Sequence, residues 1–588
     1  MLLGPLFHRE LAIAPRRTRL YLARTVYTVL FLILTATAWL ILSGSQLVQD
    51  TGDMARFGKM LFTILAPLQL VLAMFFAALF SAGNVSQEKD RNTLVLLLMT
   101  RMNRAELVLG KLAASMVHLL SNFLATLPIF GMILCFGGVD ERQIGQCLGI
   151  TLATILWSGS LGTVMAFWRE QTFQAIAMTV LFLVVWLAVG EALASGWLGE
   201  TWLGIPISQW AVTCSPWRAI LQTTVSGESA SGFPLLATGM SVVVLAWGMF
   251  RIRAWNQGEA ARREEKPAWV GNVAEEAEVE KVQEAIPPQS HRPMWNNPIL
   301  WREMRTRAYG RRAFLVRLAY GAIFLMAALA THQALNDFHL TFYQENREAA
   351  GFALQMLLPL SLLSLVLVNA QAVTAITGER DKRAIDLLLV TDLTPKEIVF
   401  GKLGGIFYNT REMVVLPLAM IGYFYGRGIF SLEISLYLWG GLAILFLFSA
   451  MLGIHSGMTY AASRSAIGVS LGTLFFLFVG VAVCLRMMLS LSHSFQAQLQ
   501  PFLAFMVGGG VAMYLALGAR NPSSAIGLAS FGCPFATFYA ISALMMNYTL
   551  GVFLVIAVTY GFTTAAMLIP AISEFDIATH SNDEVPGG

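Results

Sequence analysis

Apolar stretches of about 20 residues recur along this chain of 588 residues, and their recurrence limits the folds that are open to it. A stretch of that length crosses the hydrocarbon core of a bilayer as a single α-helix. Hydrophobic residues make up 56% of the sequence and charged residues 13%, whereas soluble domains carry about a quarter of charged residues. A soluble globular fold is therefore excluded, and the sequence predicts an all-α polytopic membrane protein.

Twelve spans are predicted, six on each side of a polar middle segment. They cover residues 25–42, 60–83, 107–136, 145–168, 173–193 and 235–250, then 313–330, 352–376, 403–425, 431–453, 466–485 and 550–570. The short glycine-rich segment 502–517 is either a thirteenth span or a re-entrant hairpin, and the side of the C-terminus depends on which it is. The predicted units are a first six-span unit over 1–252, a charged linker over 253–296 and a second six-span unit over 297–588.

The basic residues are distributed unevenly between the two sides of the membrane. Of the 39 Lys and Arg residues, 30 fall in segments on the side of the N-terminus. Cytoplasmic loops carry such an excess, so the N-terminus and the linker are predicted to be cytoplasmic, in a plasma membrane and most simply the bacterial inner membrane. The formal net charge of +4 is too small to suggest a nucleic-acid partner, and the five cysteines show no metal-ligand spacing.

Two stretches of the sequence repeat at an almost constant offset. With an offset of 293, Pro5, Arg9 and Glu10 match Pro298, Arg302 and Glu303. With an offset of 291, the matched pairs are Glu88 and Glu379, Asp90 and Asp381, Leu96 to Leu98 and Leu387 to Leu389, Thr100 and Thr391, Glu106 and Glu397, and Lys111 and Lys402. The copies run in the same direction with an even number of spans between them, which predicts two parallel six-span repeats.

A charged turn and a leucine triplet follow the second span of each half. The stretch is too short to span a membrane and predicts a helix at the membrane surface or in the groove of a partner. Asn103 with Glu106, and Thr394 with Glu397, then have the spacing of a capping box, which predicts a sharp break and a new helix. One copy alone is explained equally well as an ordinary basic amphipathic loop. Two matched copies favour an element that transmits force from the cytoplasm into the third span.

These loops resemble those of the membrane subunits of ATP-binding-cassette exporters of the ABC-2 type. The segments 4–24 and 297–317 are similar to the interfacial connecting helix of that family, and 214–217 and 533–535 to its external re-entrant region. The resemblance implies a permease whose coupling helices sit in nucleotide-binding subunits. The coupling residues that it implies are Glu88, Asp90, Leu96, Leu97, Leu98, Thr100, Glu379, Asp381, Leu387, Leu388, Leu389 and Thr391. The chain departs from the usual six-span permease by fusing two units.

The sequence contains no Gly-x-x-x-x-Gly-Lys-Ser/Thr motif, which is the signature of a phosphate-binding loop. We therefore expect that the chain is not an enzyme and binds no cofactor itself. ATP and Mg²⁺ are expected on separate P-loop ATPase subunits, two copies in number. The other expected partners are the lipid bilayer and accessory membrane or periplasmic subunits.

Few polar groups interrupt the predicted spans. The exceptions are His118 and Asn122 in the third span and Asn409, Arg411 and Glu412 in the ninth. They either line the cytoplasmic mouth of a pore or serve as interfacial groups and interhelical hydrogen-bond partners. No ionisable constellation lies near the predicted midplane, which disfavours a proton-coupled carrier. A twelve-span secondary transporter and a membrane scaffold driven by an ATPase for non-transport work remain the alternatives.

Overall fold

The computed structural model of the chain describes residues 4–583 apart from several gaps. The gaps are 14–17, 46–49, 91–92, 101, 170, 195–200, 203, 265–296, 306–312, 338–342, 383, 390, 392, 491–494 and 547. Most of the predicted linker therefore lies outside the described residues.

Helices make up nearly all of the first half. They are α1 (Gly4–Ile13), α2 (Thr18–Ser45), α3 (Thr51–Asp90), α4 (Thr93–Met99), α5 (Arg104–Ala125), α6 (Leu127–Phe136), α7 (Glu141–Trp168), α8 (Thr172–Ala194), α9 (Ile207–Cys214), α10 (Pro216–Leu221) and α11 (Gly232–Glu264). Between α8 and α9, the two-residue strands β1 (Thr201–Trp202) and β2 (Ile205–Pro206) pair antiparallel. A π-helical turn, Gln222–Ser226, extends α10.

The second half continues the same kind of architecture. Its helices are α12 (Pro298–Arg305), α13 (Ala313–Asp337), α14 (Tyr343–Asp381), α15 (Ala384–Leu389), α16 (Pro395–Asn409), α17 (Arg411–Gly426), α18 (Leu432–Thr459), α19 (Ser463–Phe475), α20 (Val481–Ser490), α21 (Phe495–Leu517), α22 (Ser524–Met545) and α23 (Thr549–Asp583). A π-helical turn, Phe476–Gly480, joins α19 to α20.

Eleven helices in the described part of the chain are long and apolar enough to cross a membrane. Two shorter apolar helices, Tyr27–Trp39 and Phe502–Leu517, accompany them. The prediction of an all-α polytopic membrane protein is confirmed.

The predicted span 403–425 is not one helix in the structure. It is divided between α16 and α17, which meet at Thr410, and the third span of the first half is divided in the same way at Thr126. Each threonine hydroxyl donates to a carbonyl of the preceding turn, at 2.9 Å to Ile406 and 2.7 Å to Phe123. Such bonds bend membrane helices, and a proline two residues after Thr126 strengthens the break in the first half.

The expected re-entrant region around 533–535 differs from the structure. Pro534 lies inside the continuous 22-residue helix α22, which packs along α21 and α23. Segment 502–517 belongs to the 23-residue helix α21, so the second half has a helical pair where the first half has the short helices α9 and α10. Proline and small polar residues read as turn signals in a sequence, but inside a bundle neighbouring helices satisfy the freed backbone groups.

The contacts of the last helix, α23, show towards which end of the bundle this helix runs. Leu568 and Ile572 of α23 pack against a small cluster of Ile299, Ile398 and Val399. These three residues lie on α12 and α16. The end of α23 therefore lies at the same end of the bundle as the N-terminal turns of α12 and α16.

Corresponding helices of the two halves pack alike. Helix α3 packs along α7 and α14 along α18, and α11 and α23 then cover α7 and α18 respectively. A glycine lies at each closest approach: a Cβ on Gly162 would come within 2.9 Å of the Ala78 carbonyl oxygen, and one on Gly453 within 2.9 Å of that of Asn369. Both pairs are related by the offset of 291. Small residues permit this close contact between membrane helices.

The two halves also contact each other in a reciprocal way. Helix α3 of the first half packs against α19, and α8 packs against α14. The second span of each half therefore lies beside the fifth span of the other.

Candidate coupling site at one end of the helix bundle

Three consecutive charged residues end the second span of each half, and we call residues 88–90 and 379–381 the clamp triplets. The first member of each triplet is a glutamate that pairs with a lysine on the third span. Lys402 Nζ lies 2.6 Å from Glu379 Oε1, and Lys111 forms the same ion pair with Glu88. The lysines are 2% and 4% exposed, so each is a buried charge with an opposite charge beside it.

The second member of each triplet is a base that reaches the last turn of the fourth span. Lys89 Nζ donates to the carbonyl oxygens of Phe167 and Arg169, the latter at 2.9 Å. Arg380 donates to the carbonyl of Gly457 at 2.7 Å. The final carbonyls of a helix lack partners within the helix and carry partial negative charge, so a cation there is favourable.

The third member of each triplet is an aspartate that binds the start of the fifth span. Asp90 accepts a hydrogen bond from the hydroxyl of Thr172, and Asp381 accepts one from Ser463. Thr172 and Ser463 are themselves separated by 291 residues. Each clamp triplet therefore joins the end of the second span to the third, fourth and fifth spans of its half.

In the second half the pair of Lys402 and Glu379 belongs to a wider network. Lys402 Nζ also lies 2.6 Å from Glu303 Oε1 on α12, and Arg302 pairs with Glu379. Asn297 donates through its side chain to the carbonyl of Glu397 at 2.9 Å. Helix α12 is thus bound to the start of the third span of its half. The equivalent side chain in the first half, Glu10, lies outside the described residues.

The surface helix α4 begins three residues after the first clamp triplet, and it has two different faces. Leu97 and Leu98 are half-buried and pack against the main hydrophobic core, and Leu94 is buried. Leu96 is 61% exposed and Met99 is 78% exposed. The leucine triplet is therefore not a uniform contact surface, and Met99, which the sequence pattern did not single out, belongs to the outward face.

The matching helix α15 ends as α4 does. The hydroxyl of Thr100 donates to the carbonyl of Leu97, and that of Thr391 to the carbonyl of Leu388, both at 2.6 Å. Both threonines are exposed and Leu388 is half-buried. The side chains of Leu387 and Leu389 lie outside the described residues.

The next helix begins with a side-chain cap in both halves. In the second half the Thr394 amide donates to Glu397 Oε2 at 2.9 Å, and the Glu397 amide donates back to the Thr394 hydroxyl at 3.4 Å. The Thr394 hydroxyl also donates to Glu397 Oε2 at 2.8 Å, and the bonds from the Thr394 amide and hydroxyl lower the pKa of Glu397. In the first half the Asn103 amide donates to Glu106 Oε2 at 3.1 Å. Surface helix, cap and third span thus form one connected element.

The polar residues proposed for a pore mouth have local partners. Asn409 donates to the carbonyl of Gly405 on its own helix at 2.9 Å. Glu412 lies 3.0 Å from Arg411 and 3.4 Å from Arg317 of α13, and Arg411 is exposed. Asn122 is half-buried on α5, and the side chain of His118 lies outside the described residues. Among the described contacts, those of the three second-half residues stay within that half.

Comparison with known proteins agrees with this architecture. Residues 7–245 match the family model described as ABC-2 family transporter protein. No curated protein and no solved structure matches the chain. The matched range runs from α1 into α11 and includes the first clamp triplet, the surface helix α4 and its capped third span. Residues 7–245, somewhat less than half of the chain, are therefore similar to the ABC-2 family of transporter proteins.

Proposed function

We propose that the chain is the complete permease of an ATP-driven exporter, made of two ABC-2 units fused in tandem. The observation that carries this proposal is the repetition of the clamp. Residues 379–381 lie outside the range that matches the family model, yet they make the same three kinds of bond as residues 88–90. Because the second half repeats these ion pairs and hydrogen bonds, we infer that a pore forms between the two halves of one chain.

The clamp triplets connect the surface helix α4 mechanically to the membrane spans, as a permease driven by an ATPase requires. Only residues 91 and 92 separate α4 from the end of α3, and α5 begins shortly after α4. A force on α4 therefore reaches the end of the second span directly and the third span through its cap. The bonds of residues 88–90 then pass it to the ends of the fourth and fifth spans. Buried ion pairs suit this role because separating the two charges is costly. The ends of the second, third, fourth and fifth spans are therefore expected to move together.

The outward face of α4 supports a protein partner at this end of the bundle. Leu96 and Met99 are exposed beside a charged loop rather than in the middle of an apolar span. An apolar ridge on a short helix fits a groove of another protein. We propose that the groove belongs to a P-loop ATPase subunit carrying ATP and Mg²⁺, with a second copy at α15.

The orientation follows from the same assignment. ATPase subunits need cytoplasmic ATP, so the end of the bundle with the clamp triplets is placed in the cytoplasm, as the distribution of Lys and Arg also indicates. Both the N-terminal helix and the end of α23 are then cytoplasmic. A bacterial inner membrane is the compartment that we propose.

Affinity purification of the tagged full-length chain in mild detergent tests the proposal. We expect a P-loop protein to co-purify, and the eluate to hydrolyse ATP faster when the transported compound is added. If the chain is reproducibly isolated alone and without ATPase activity, a secondary transporter becomes the better account. If an ATPase co-purifies but no compound is moved across reconstituted vesicles, the chain is a scaffold for other work.

A further inference from the structure

One lysine crosses the boundary between the two halves at the end that carries the clamp triplets. Lys382 directly follows the second clamp triplet. Its Nζ donates to Gln171 Oε1 at 3.2 Å and lies 3.9 Å from Asp90 Oδ1. Both acceptors belong to the first half, and 211 residues separate Lys382 from Gln171. The bonds of the clamp triplets described above each stay within one half, so the lysine makes a different kind of connection.

The acceptor Asp90 is well placed to hold this lysine. Its side chain is 6% exposed, and the hydroxyl of Thr172 already donates to its other carboxylate oxygen. The neighbouring base, Lys89, is directed to the last carbonyls of α7. A carboxylate with little access to water attracts a cation more strongly than an exposed one. Lys382 therefore supplies positive charge to Asp90 from the opposite half.

A small cavity lies at this boundary. Its volume is about 60 Å³, and residues of both halves line it, among them Thr172 and Phe173 from the first and Thr374 and Gly378 from the second. The cavity is partly open to solvent and is large enough to admit water. Helices α8 and α14 contact each other, and Lys382 bridges them at this place.

The hydrogen bond of Lys382 to Gln171 has no side-chain counterpart at the other boundary between the halves. At the offset of 291, Gln171 corresponds to Ala462, which has no acceptor on its side chain. The residue that corresponds to Lys382 is Arg91, which lies outside the described residues. Two identical subunits would carry the same bridge at both boundaries. In a single fused chain the two halves can differ in sequence, so the contacts at one boundary can differ from those at the other.

We propose that Lys382 is a latch that holds the first and second halves together at the cytoplasmic end, through Asp90 and Gln171, and that each transport cycle breaks it. This inference rests on the proposed function, since the latch closes the path between the halves. Lys382 acts as a positioning residue and does not bind substrate. When the ATPase subunits move α15, the lysine at the end of α14 is drawn away from α8, and the boundary opens.

The latch is tested on the full chain alone in lipid nanodiscs. Thr374→Cys is introduced as a probe of the cavity, with the five native cysteines replaced, and its rate of labelling by a water-soluble thiol reagent is measured. Lys382→Met should raise the labelling rate about two- to fivefold, as loss of a partly exposed ion pair allows. Gln171→Leu should raise it less, and Lys382→Arg should keep the rate of the parent.

The control is Lys396→Met, which removes an exposed lysine of α16 in the same half. Equal labelling in the Lys382→Met and parent proteins would overturn the latch, as would an equal rise in the Lys396→Met protein. Thermal unfolding of each variant checks that the fold is retained. No ATPase or substrate is present, so a negative result removes the latch and leaves the proposed function to the purification experiment.

Discussion

Lys402 and Glu379 lie 2.6 Å apart although 23 residues separate them in the chain, and Lys111 and Glu88 form the same pair with the same separation in the first half. The second pair is not isolated, because Glu303 also lies 2.6 Å from Lys402. The buried ammonium group of Lys402 thus lies between the carboxylates of Glu303 and Glu379, and the three residues belong to three different helices. Removal of this ammonium group leaves Arg302 as the described cation beside these two carboxylates.

Replacement of Lys402 by methionine should therefore be strongly destabilising. We expect the free energy of unfolding to fall by about 3–5 kcal/mol, the usual cost of removing one partner of a buried ion pair. Thermal or denaturant unfolding of the purified chain measures it. The control Lys396→Met should change stability by less than about 0.5 kcal/mol. The double variant Lys402→Met/Glu303→Gln should be more stable than the single one; if it is less stable, the pairing is not the cause.

The crossing of the second and fourth spans predicts matched effects of adding one methyl group. Gly162→Ala and Gly453→Ala each place a Cβ within 2.9 Å of a carbonyl oxygen of the facing helix. We expect each to cost about 1–3 kcal/mol because the helices must separate. Gly149→Ala, on the same helix as Gly162 but with open space around it, is the matched control and should not destabilise. Equal stability of Gly162→Ala and Gly149→Ala would show that α3 and α7 are not in close contact.

The two faces of α4 should respond differently to polar substitution. Leu96→Ser and Met99→Ser alter exposed side chains, so the chain should insert and unfold as the parent does, while its affinity for the ATPase partner falls roughly tenfold for each. Leu97→Ser alters a half-buried side chain and should lower the thermal unfolding temperature instead. Binding is measured with the purified partner. The assignment of the outward face fails if Leu97→Ser weakens binding while Leu96→Ser and Met99→Ser do not.

The cap of α16 predicts a dependence on pH. Because hydrogen bonds lower the pKa of Glu397 in the folded state, its carboxylate stabilises the helix start above the ordinary carboxyl pKa, and this stabilisation is lost as the pH falls through the lowered value. Relative to the intrinsic rate at each pH, hydrogen exchange of the amides of residues 396–398 should accelerate on acidification in the parent. In Glu397→Gln the amides should exchange faster at neutral pH and change less on acidification. Identical pH profiles would exclude the cap as the source.

Much of this site can be predicted from the sequence because its residues occur once in each half of the chain. The constant offset marks Glu88 with Glu379 and Lys111 with Lys402, and it predicts the capped helices that the structure contains. The offset does not reveal which matched residues touch. The bond of Asp90 to Thr172 joins residues 82 positions apart, and its counterpart uses Ser463 in place of threonine, so identity of residue type does not mark it.

Other features have no local signal in the sequence. Lys382 bonds to Gln171, whose counterpart at the offset of 291 is Ala462, so comparison of the two halves cannot reveal this bond. The leucine triplet reads as one apolar surface, and only the packing of α4 separates Leu97 and Leu98 from Leu96. Helix α22 contains proline, glycine and serine, which favour turns in water but are tolerated where other helices surround them.

The number of ATPase subunits bound to one chain tests the central claim most directly. Native mass spectrometry of the purified complex should give two ATPase copies for each copy of the chain, because α4 and α15 each receive one. The double variant Leu96→Asp/Met99→Asp should retain one copy, held at α15, and keep its fold. A parent complex with no ATPase, or a variant that still binds two, would contradict a fused permease driven through its two surface helices.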